Sequence, residues 1–300
     1  MQFDEDADLD TSQVSDQRGM GGRIAAGGGG LGIVGLIIYF LIAQLGGGDA
    51  LPSGAGFGDV GPDRQVGSES IGERCRTGAD ANRDADCRAV AFINSIQTYW
   101  ADAFAASGST YREVQTNFFS GAVRTGCGNA SSAAGPFYCP ADAEVYIDLN
   151  FFTELRERFG ATGGPFVEGY VLAHEYGHHV QHLLGTSDKV REGTGPASDS
   201  VRLELQADCY AGVWANHATT TPTSSGEPLI TGVTQSDVKA ALDAAARIGD
   251  DFIQRELGGG KVDTTQFSHG TSAQRQKWYT VGYRTGDPAR CDTFQTTALG

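Results

Sequence analysis

The sequence predicts an α+β fold, in which one small group of strands packs on several helices. A single apolar segment precedes this fold in the chain. Residues 144–152 alternate apolar and polar side chains as a strand does, whereas several later stretches carry apolar residues at helical spacing. In addition, residues 24–45 contain no charged side chain. With 40% hydrophobic residues, the 300-residue chain can bury a core, and its net charge of −15 opposes phosphate backbones, so no nucleic-acid partner is expected.

The first part of the chain has the composition of a membrane anchor between two polar segments. We expect residues 1–23 to form an unstructured acidic tail and residues 24–45 a transmembrane helix, since about 1.5 Å per residue gives roughly 33 Å. A cleaved signal peptide is the alternative, but the leader is long and acidic and no small-x-small cleavage site follows. Residues 46–74 predict a flexible linker, which leaves residues 75–300 as the folded domain.

Basic residues and cysteines both indicate where the domain lies. Arg18 and Arg23 precede the apolar segment and the next basic residue is Arg64, so the positive-inside rule places the N-terminus in the cytoplasm and the domain outside. All six cysteines follow the apolar segment and none forms a CxxC pair, which favours disulfides in an oxidising compartment. Six cysteines allow fifteen pairings. Proximity suggests Cys75–Cys87 and Cys127–Cys139, leaving Cys209–Cys291.

Within the domain, apolar spacing and breaker residues predict the order of the elements. Asp84–Ala106 has apolar residues at helical spacing, and Pro165 suits the first position of a helix that continues to Leu184. The remaining predicted elements are a stapled loop or hairpin over 121–140, a strand over 144–152, a short helix over 151–159, a helix from about 199 to 217, a loop over 219–234, a helix over 235–257 and a helix after Ser272.

Two histidines and a glutamate lie at the spacing of a metal-binding helix. His174 and His178 are four residues apart, so a helix places both imidazoles on one face, where they can bind one ion. Glu175 falls beside the pair, where its carboxylate can take a proton from a metal-bound water. The alternative, two core histidines bonded to backbone carbonyls, buries three polar side chains in an apolar helix at high cost. We therefore expect Zn²⁺ at the histidines and Glu175 as the general base.

A catalytic zinc site takes three protein ligands and keeps one position open. The candidate third ligand is Glu204, which shares one face of the next predicted helix with Asp208. A helix hairpin would place Glu204 on the metal and let Asp208 accept the free ring N–H of a ligand histidine. The small residues Gly177, Ala207 and Gly212 would permit the close approach of the two helices. Two surface carboxylates on an amphipathic helix are the alternative.

The other histidines are weaker candidates for the site. His269 precedes the last predicted helix and could donate to a developing oxyanion, although an ordinary loop role fits equally well. His182 lies too far along its helix for the same ion and His179 points away from the pair, so we expect both to be structural or to contact a metal ligand without binding the metal. His217, at the end of the second helix, is expected to interact with the helix dipole.

Several segments of the chain, taken in order, carry a family resemblance. They are the acidic N-terminus, the glycine-rich start of the apolar segment, Thr125–Pro140, Val145–Asp148, His174–Gln181, Glu204–Trp214 and Cys291–Phe294. Together they resemble the bacterial neutral zinc metallopeptidase family of membrane-anchored proteins. The resemblance covers nearly the whole chain and implies a zincin-like fold, with a small sheet, an active-site helix bearing the HExxH motif, and Glu204 supplied by the next helix. The spacing of Glu204 and Asp208 is similar to that of the glutamate-zincin clan.

These observations predict a membrane-anchored, extracytoplasmic zinc peptidase that acts on a peptide or protein substrate. The strand over 145–149 is the candidate sheet edge on which an extended peptide would add. One alternative is a zinc-binding surface module without turnover. Another is a hydrolase of a different amide bond, which would want an upstream cysteine ligand, whereas Cys127 and Cys139 are expected to be disulfide-bonded. The sequence assigns no oligomeric state.

Overall fold

The computed structural model describes residues 1–18, 70–191, 193–223 and 226–300, and its architecture is α+β, as predicted. The strands are β1 Gln2–Phe3, β2 Val14–Asp16, β3 Thr116–Phe118, β4 Ala122–Thr125, β5 Gly128–Ser131, β6 Phe137–Cys139, β7 Glu144–Ile147 and β8 Ile230–Gly232. The helices are α1 Ile71–Arg74, α2 Gly78–Arg83, α3 Ala85–Ala106, α4 Phe151–Glu157, α5 Pro165–Leu183, α6 Asp199–His217, α7 Gln235–Arg247, α8 Asp250–Phe252 and α9 Ser272–Thr285.

The strands form three small sheets, of which the largest is mixed. Its order is β2-β3-β7-β6, with β2 and β7 parallel to β3 and with β6 antiparallel to β7. β1 pairs with β8 and β4 pairs with β5, both antiparallel. The prediction that the strand over 145–149 is a sheet edge is wrong, because β7 is hydrogen-bonded on both sides. The edges of this sheet, in the part of the chain described, are β2 and β6.

The long helices follow the predicted apolar spacing, and a capping residue or a proline starts each of α3, α5 and α6. The side chain of Asp84 accepts from two backbone N–H groups at the start of α3, and the side chain of Ser198 accepts from one at the start of α6. Pro165 occupies the first position of α5, where a backbone N–H would have no partner within the helix, so its absence costs no hydrogen bond. The buried faces meet in one aromatic core, in which Phe92 of α3 lies edge-on to Trp214 of α6.

Glycines allow the site-bearing helices to approach closely. A Cβ atom at Gly177 of α5 would lie 3.0 Å from the Cα of Ala207 of α6, so these two helices approach as their small residues predict. Gly212 has a different role from the predicted one: it faces α9, where a Cβ atom would overlap the backbone of Tyr279. α6 is therefore packed between α5 and α9, which fixes its rotation about its own axis.

The helix predicted over 235–257 is interrupted. α7 ends at Arg247, and α8 with a following π-helical turn, Ile253–Leu257, takes a new direction. A Cβ atom at Gly249 would overlap the backbone of Ser272, the first residue of α9, so the chain needs a glycine at the break. The break places Asp250 beneath the loop that precedes α9.

The N-terminal segment is not the unstructured tail that its composition predicts, because residues 1–18 belong to the folded domain. β1 pairs with β8, and β2 adds to β3 at the edge of the mixed sheet. The acidic composition is misleading because part of the charge is paired. Arg18 is buried and donates to Asp16 and to Asp86 of α3. Polar residues bound to one another in this way behave as part of a core and not as a solvated tail.

The predicted transmembrane segment 24–45 and most of the predicted linker 46–74 lie outside the described residues. None of the helices found in the described ranges has both the length and the apolar character needed to span a bilayer. α1 lies within the predicted linker, so the folded domain begins before Cys75. The suggested disulfides Cys75–Cys87, Cys127–Cys139 and Cys209–Cys291 are confirmed.

Candidate metal centre

Two neighbouring helices bring three metal-binding side chains together. His174 and His178 lie on α5 and Glu204 lies on α6, and all three side chains are buried. One ligand atom of each residue lies within 4.8 Å of the other two. The Nε2 atoms of His174 and His178 lie 3.1 and 3.4 Å from the oxygens of Glu204. Two imidazoles and one carboxylate at this separation could hold one divalent cation.

Hydrogen bonds decide which nitrogen of His178 carries the proton. The amide nitrogen of Gln181 donates to a backbone carbonyl at 2.7 Å and to Gln206 at 3.1 Å, so its amide oxygen faces Nδ1 of His178, 2.9 Å away. Gln206 is itself oriented, because its amide nitrogen donates to the carbonyl oxygen of Cys291. Nδ1 of His178 is therefore the donor. Its Nε2 keeps a lone pair and is buried without a hydrogen bond among the described residues.

His174 is held in a similar way by Asp208. Its Nδ1 donates to Oδ1 of Asp208 at 3.0 Å, which turns Nε2 toward Glu204, 3.1 Å away. The carboxylate of Glu204 favours a cation at this Nε2, either a proton bound to it or a metal ion in the proton's place. Burial lowers the pKa of His174, but Asp208 and then Glu204 outweigh burial and raise this pKa to about 10. The position therefore strongly favours positive charge.

Asp208 is itself fixed by Arg275 of α9, a residue not predicted from the sequence. Nε and Nη2 of Arg275 lie 2.8 and 2.9 Å from the two oxygens of Asp208, and the hydroxyl of Tyr170 donates to Oδ1 at 2.7 Å. Burial raises the pKa of Asp208, but Arg275 and His174 hold it below its usual range. Arg275 lies 67 residues after Asp208 in the chain, so no local sequence pattern links the two residues.

Glu175 is the second buried glutamate of the site. Its side chain is 5% exposed, and its Oε2 has no hydrogen-bond partner among the described residues. Burial raises the pKa of Glu175, and the neighbouring His174 and His178 only partly oppose this effect. A buried carboxylate oxygen without a protein donor is open to a water or an ion as its partner. This carboxylate is therefore free to bind and deprotonate a water at the cation position.

Asp250 brings His269 to the same cleft. Oδ2 of Asp250 accepts from the backbone N–H groups of Ser268, His269 and Gly270 at 2.7, 2.7 and 2.9 Å. Its Oδ1 lies 3.2 Å from Nδ1 of His269. Burial lowers the pKa of His269, but Asp250 and then Glu204 reverse this and raise it. The loop before α9 thus presents an imidazole that favours its protonated form.

These polar groups share a cleft of about 50 Å³ with an apolar wall. The apolar residues of the wall are Ala134, Pro136, Phe151, Val171 and Ile248. Pro136 comes immediately before β6, an edge strand of the mixed sheet, and Ala134 lies two residues earlier. The cleft therefore combines candidate metal-binding and proton-transfer groups with an apolar surface.

The remaining histidines lie outside this group. His179 and His182 both contact the hydroxyl of Tyr138, at 3.1 and 2.7 Å, and His179 also contacts a backbone carbonyl through Nε2. His217, in the last turn of α6, donates to the carbonyl oxygen of Gly286, just after α9. These contacts hold neighbouring elements together and involve none of the cleft residues.

An α+β fold with a buried set of two histidines and two glutamates is typical of metal-dependent hydrolases of the HExxH type. The chain belongs to the family described as "Putative neutral zinc metallopeptidase", whose pattern matches residues 4–294. An uncharacterized protein of Mycobacterium tuberculosis H37Rv is 51% identical over 229 residues, 76% of each chain. The uncharacterized protein YpfJ of Escherichia coli K12 is 44% identical over 208 residues, 67% of this chain and 69% of its own. No solved structure matches the chain.

Proposed function

We propose that the protein is a zincin-like, zinc-dependent peptidase. The observation that carries the proposal is the buried group of His174, His178 and Glu204, in which both imidazoles donate through Nδ1 and turn Nε2 toward one carboxylate. This donor set fits Zn²⁺, which binds imidazole nitrogen and carboxylate oxygen in three-residue catalytic sites. When bound, zinc supplies Lewis-acid chemistry, since it lowers the pKa of water and polarises a carbonyl group. Membership of the family supports the same assignment.

The polar groups of the cleft divide the proton transfers of peptide hydrolysis between them. Glu175, with its raised pKa and unpartnered Oε2, accepts the proton of the attacking water and passes it to the departing amine. His269, held by Asp250, donates to the carbonyl oxygen as that oxygen becomes negative. Asp208 touches no reacting atom in this scheme and acts by orienting the ring of His174.

The substrate class we propose is an extended peptide with an apolar side chain beside the scissile bond. Pro136, Phe151, Val171 and Ile248 supply the apolar surface against which this side chain would pack. Pro136 leads directly into β6, and an edge strand can pair with an extended peptide through its backbone groups. β6 thus takes the substrate-binding role first predicted for the strand over 145–149.

We further propose that the domain works outside the cytoplasm and is attached to the membrane through residues 24–45. All six cysteines are joined in three disulfides, which supports an oxidising compartment. The uncharged composition of residues 24–45 supports attachment to a bilayer.

Glu175→Gln tests the catalytic assignment without removing a metal ligand. We expect the variant to bind one zinc ion as the wild type does and to cleave an unstructured peptide about 10²–10⁴-fold more slowly. Glu157→Gln, on the exposed side of α4, is the matched control and should leave both zinc content and kcat unchanged. A zinc-loaded Glu175→Gln protein that cleaves peptides at the wild-type rate would overturn the assignment.

The two alternatives predict different results. A zinc-binding surface module would be loaded with metal and silent against a broad peptide library, in the wild type as in Glu175→Gln. An amide hydrolase with a cysteine ligand is contradicted by the structure, because Cys127 and Cys139 are bonded to each other.

A further inference from the structure

We infer that residues 1–18 and the catalytic domain lie on the same side of the membrane, as parts of one folded unit. The positive-inside rule predicts opposite sides, with the N-terminus in the cytoplasm and the domain outside. A chain that crosses a bilayer once between residues 18 and 70 cannot make the contacts that the structure shows between these two parts. This inference concerns topology and does not depend on the proposed catalysis.

Two asparagines bind the backbone of the N-terminal segment as a neighbouring strand would. Asn82 accepts from the N–H of Phe3 and donates to its carbonyl oxygen, both at 3.0 Å. Asn94, buried in the middle of α3, does the same for Asp10, both at 2.9 Å. A paired donor and acceptor fits only one register of the bound backbone. Adhesion of an acidic tail to a basic surface would not require such a fit.

The surroundings of Gly78 show how close the backbone of the N-terminal segment lies to the domain. A Cβ atom at this position would overlap the carbonyl group of Asp4. The N–H of Gly78 also donates to the carbonyl oxygen of Ala7 at 2.8 Å. In a domain without the segment, alanine would suit the start of α2 better than glycine, which is a poor helix former. The domain surface is therefore shaped to receive this backbone.

Side chains of the segment also complete the interior of the domain. Phe3 and Ala7 are 3% and 4% exposed and belong to the main hydrophobic core. The ring of Phe3 lies edge-on to Phe92 of α3, with centroids 5.2 Å apart. Arg18 donates to Asp86 of the same helix at 2.8 Å, inside a buried cluster of charges. Without the segment, this part of the core would be open to solvent.

Labelling of single cysteines from one side of the membrane tests the topology. Glu5→Cys and, in a separate protein, Lys261→Cys place a thiol at an exposed position of the segment and of the domain. The native cysteines are joined in three disulfides in the folded protein, and the chain without an added cysteine gives the background labelling from them. Intact cells that express the full chain are treated with a membrane-impermeant maleimide. We expect both positions to label before permeabilisation, or both only after it. Labelling of one position before and the other only after would overturn the inference.

A matched pair of alanine variants tests the docking itself. Gly78→Ala drives a methyl group into the backbone of Asp4, whereas the methyl of Gly72→Ala, in adjacent α1, meets Thr11 at an ordinary 3.5 Å. In purified full-length protein, we expect the amides of β2 to exchange hydrogen about tenfold or more faster in Gly78→Ala and at the wild-type rate in Gly72→Ala. Unchanged exchange in α6 controls for folding. Wild-type β2 amides that exchange as fast as a free peptide would overturn docking, whatever the variants do.

Discussion

Arg275 and Asp208 form a two-point ion pair directly behind the ring of His174, with N–O distances of 2.8 and 2.9 Å. The same carboxylate accepts from Nδ1 of His174 at 3.0 Å. The pair therefore connects α9 through α6 to α5, and a residue that touches no candidate metal ligand decides how one of those ligands is oriented. A planar guanidinium makes this contact at two points, which an ammonium group cannot do.

Replacement of Arg275 by lysine should weaken metal binding while it conserves charge. Loss of the two-point contact lets Asp208 rotate, so we expect the zinc dissociation constant to rise about 10- to 100-fold. Competition with a chromophoric chelator measures it. Arg255→Lys is the control, because Arg255 is largely exposed and lies 3.8 Å from its carboxylate partner. An Arg275→Lys protein with unchanged zinc affinity would show that Asp208 needs no such support.

Gln181 should have a comparable effect on the other histidine. In Gln181→Met the acceptor that holds the Nδ1 proton of His178 is lost, so Nε2 no longer has a guaranteed lone pair. We expect zinc affinity to fall about tenfold or more, by the same competition assay. Gln266→Met, at an exposed position, should have no effect. Equal affinities in the two variants would mean that His178 keeps its proton position without Gln181.

His269 should set the alkaline limit of activity. Its raised pKa keeps the imidazole protonated to higher pH, so a donor role is fully present below that pKa and is lost as the pH rises through it. Asp250→Asn removes the charge closest to His269 and should shift the alkaline limb of kcat to lower pH. His269→Ala should lower kcat by about 10²–10³ at unchanged zinc content. A pH profile of kcat that is the same in the wild type and Asp250→Asn would exclude this role.

Metal removal should destabilise the fold measurably. Without a metal ion, two buried imidazoles and the buried carboxylate of Glu204 lose their common partner, with Nε2–O distances of 3.1 and 3.4 Å. A metal present at 1,000 times its dissociation constant stabilises the native state by about 4.1 kcal/mol, which corresponds to a fall in Tm of roughly 8–16 °C on chelation. Calorimetry with and without a chelator checks this difference. Glu175→Gln should preserve the difference, whereas Glu204→Gln should reduce it. A Tm that is insensitive to chelation would argue against a tightly bound ion.

Local patterns predicted the parts of the molecule that depend on local interactions. The spacing of His174 and His178, and of Glu204 and Asp208, is a property of a single helical turn. Helix starts depend on capping groups next to them in the chain, and two of the three disulfides close loops with a sequence separation of only 12 residues. These features could be predicted from the sequence because the residues that make them are neighbours.

The features not predicted depend on single residues brought together by the tertiary fold. Neither Arg275 nor Asp250 is part of a recognisable sequence pattern, and Asp250 lies in a stretch predicted to be one continuous helix. The N-terminal segment was misjudged for a different reason. Charge and polarity indicate a solvated tail only when the polar groups lack partners. Here Arg18 forms ion pairs with carboxylates, and Asn82 and Asn94 bind backbone groups of the segment.

The disulfide between Cys209 and Cys291 has a consequence for how the protein matures. Cys209 directly follows Asp208 on α6, and Cys291, 82 residues later, provides the carbonyl oxygen that orients Gln206. In a reducing cytosol a newly synthesised chain lacks this covalent link, so Cys291 is not held beside α6. The hydrogen bonds that run from Cys291 through Gln206 and Gln181 to His178 then lose one anchored end. If the domain works outside the cytoplasm, as proposed above, oxidation there would complete the site, and the protein would become active only after it has left the cytosol.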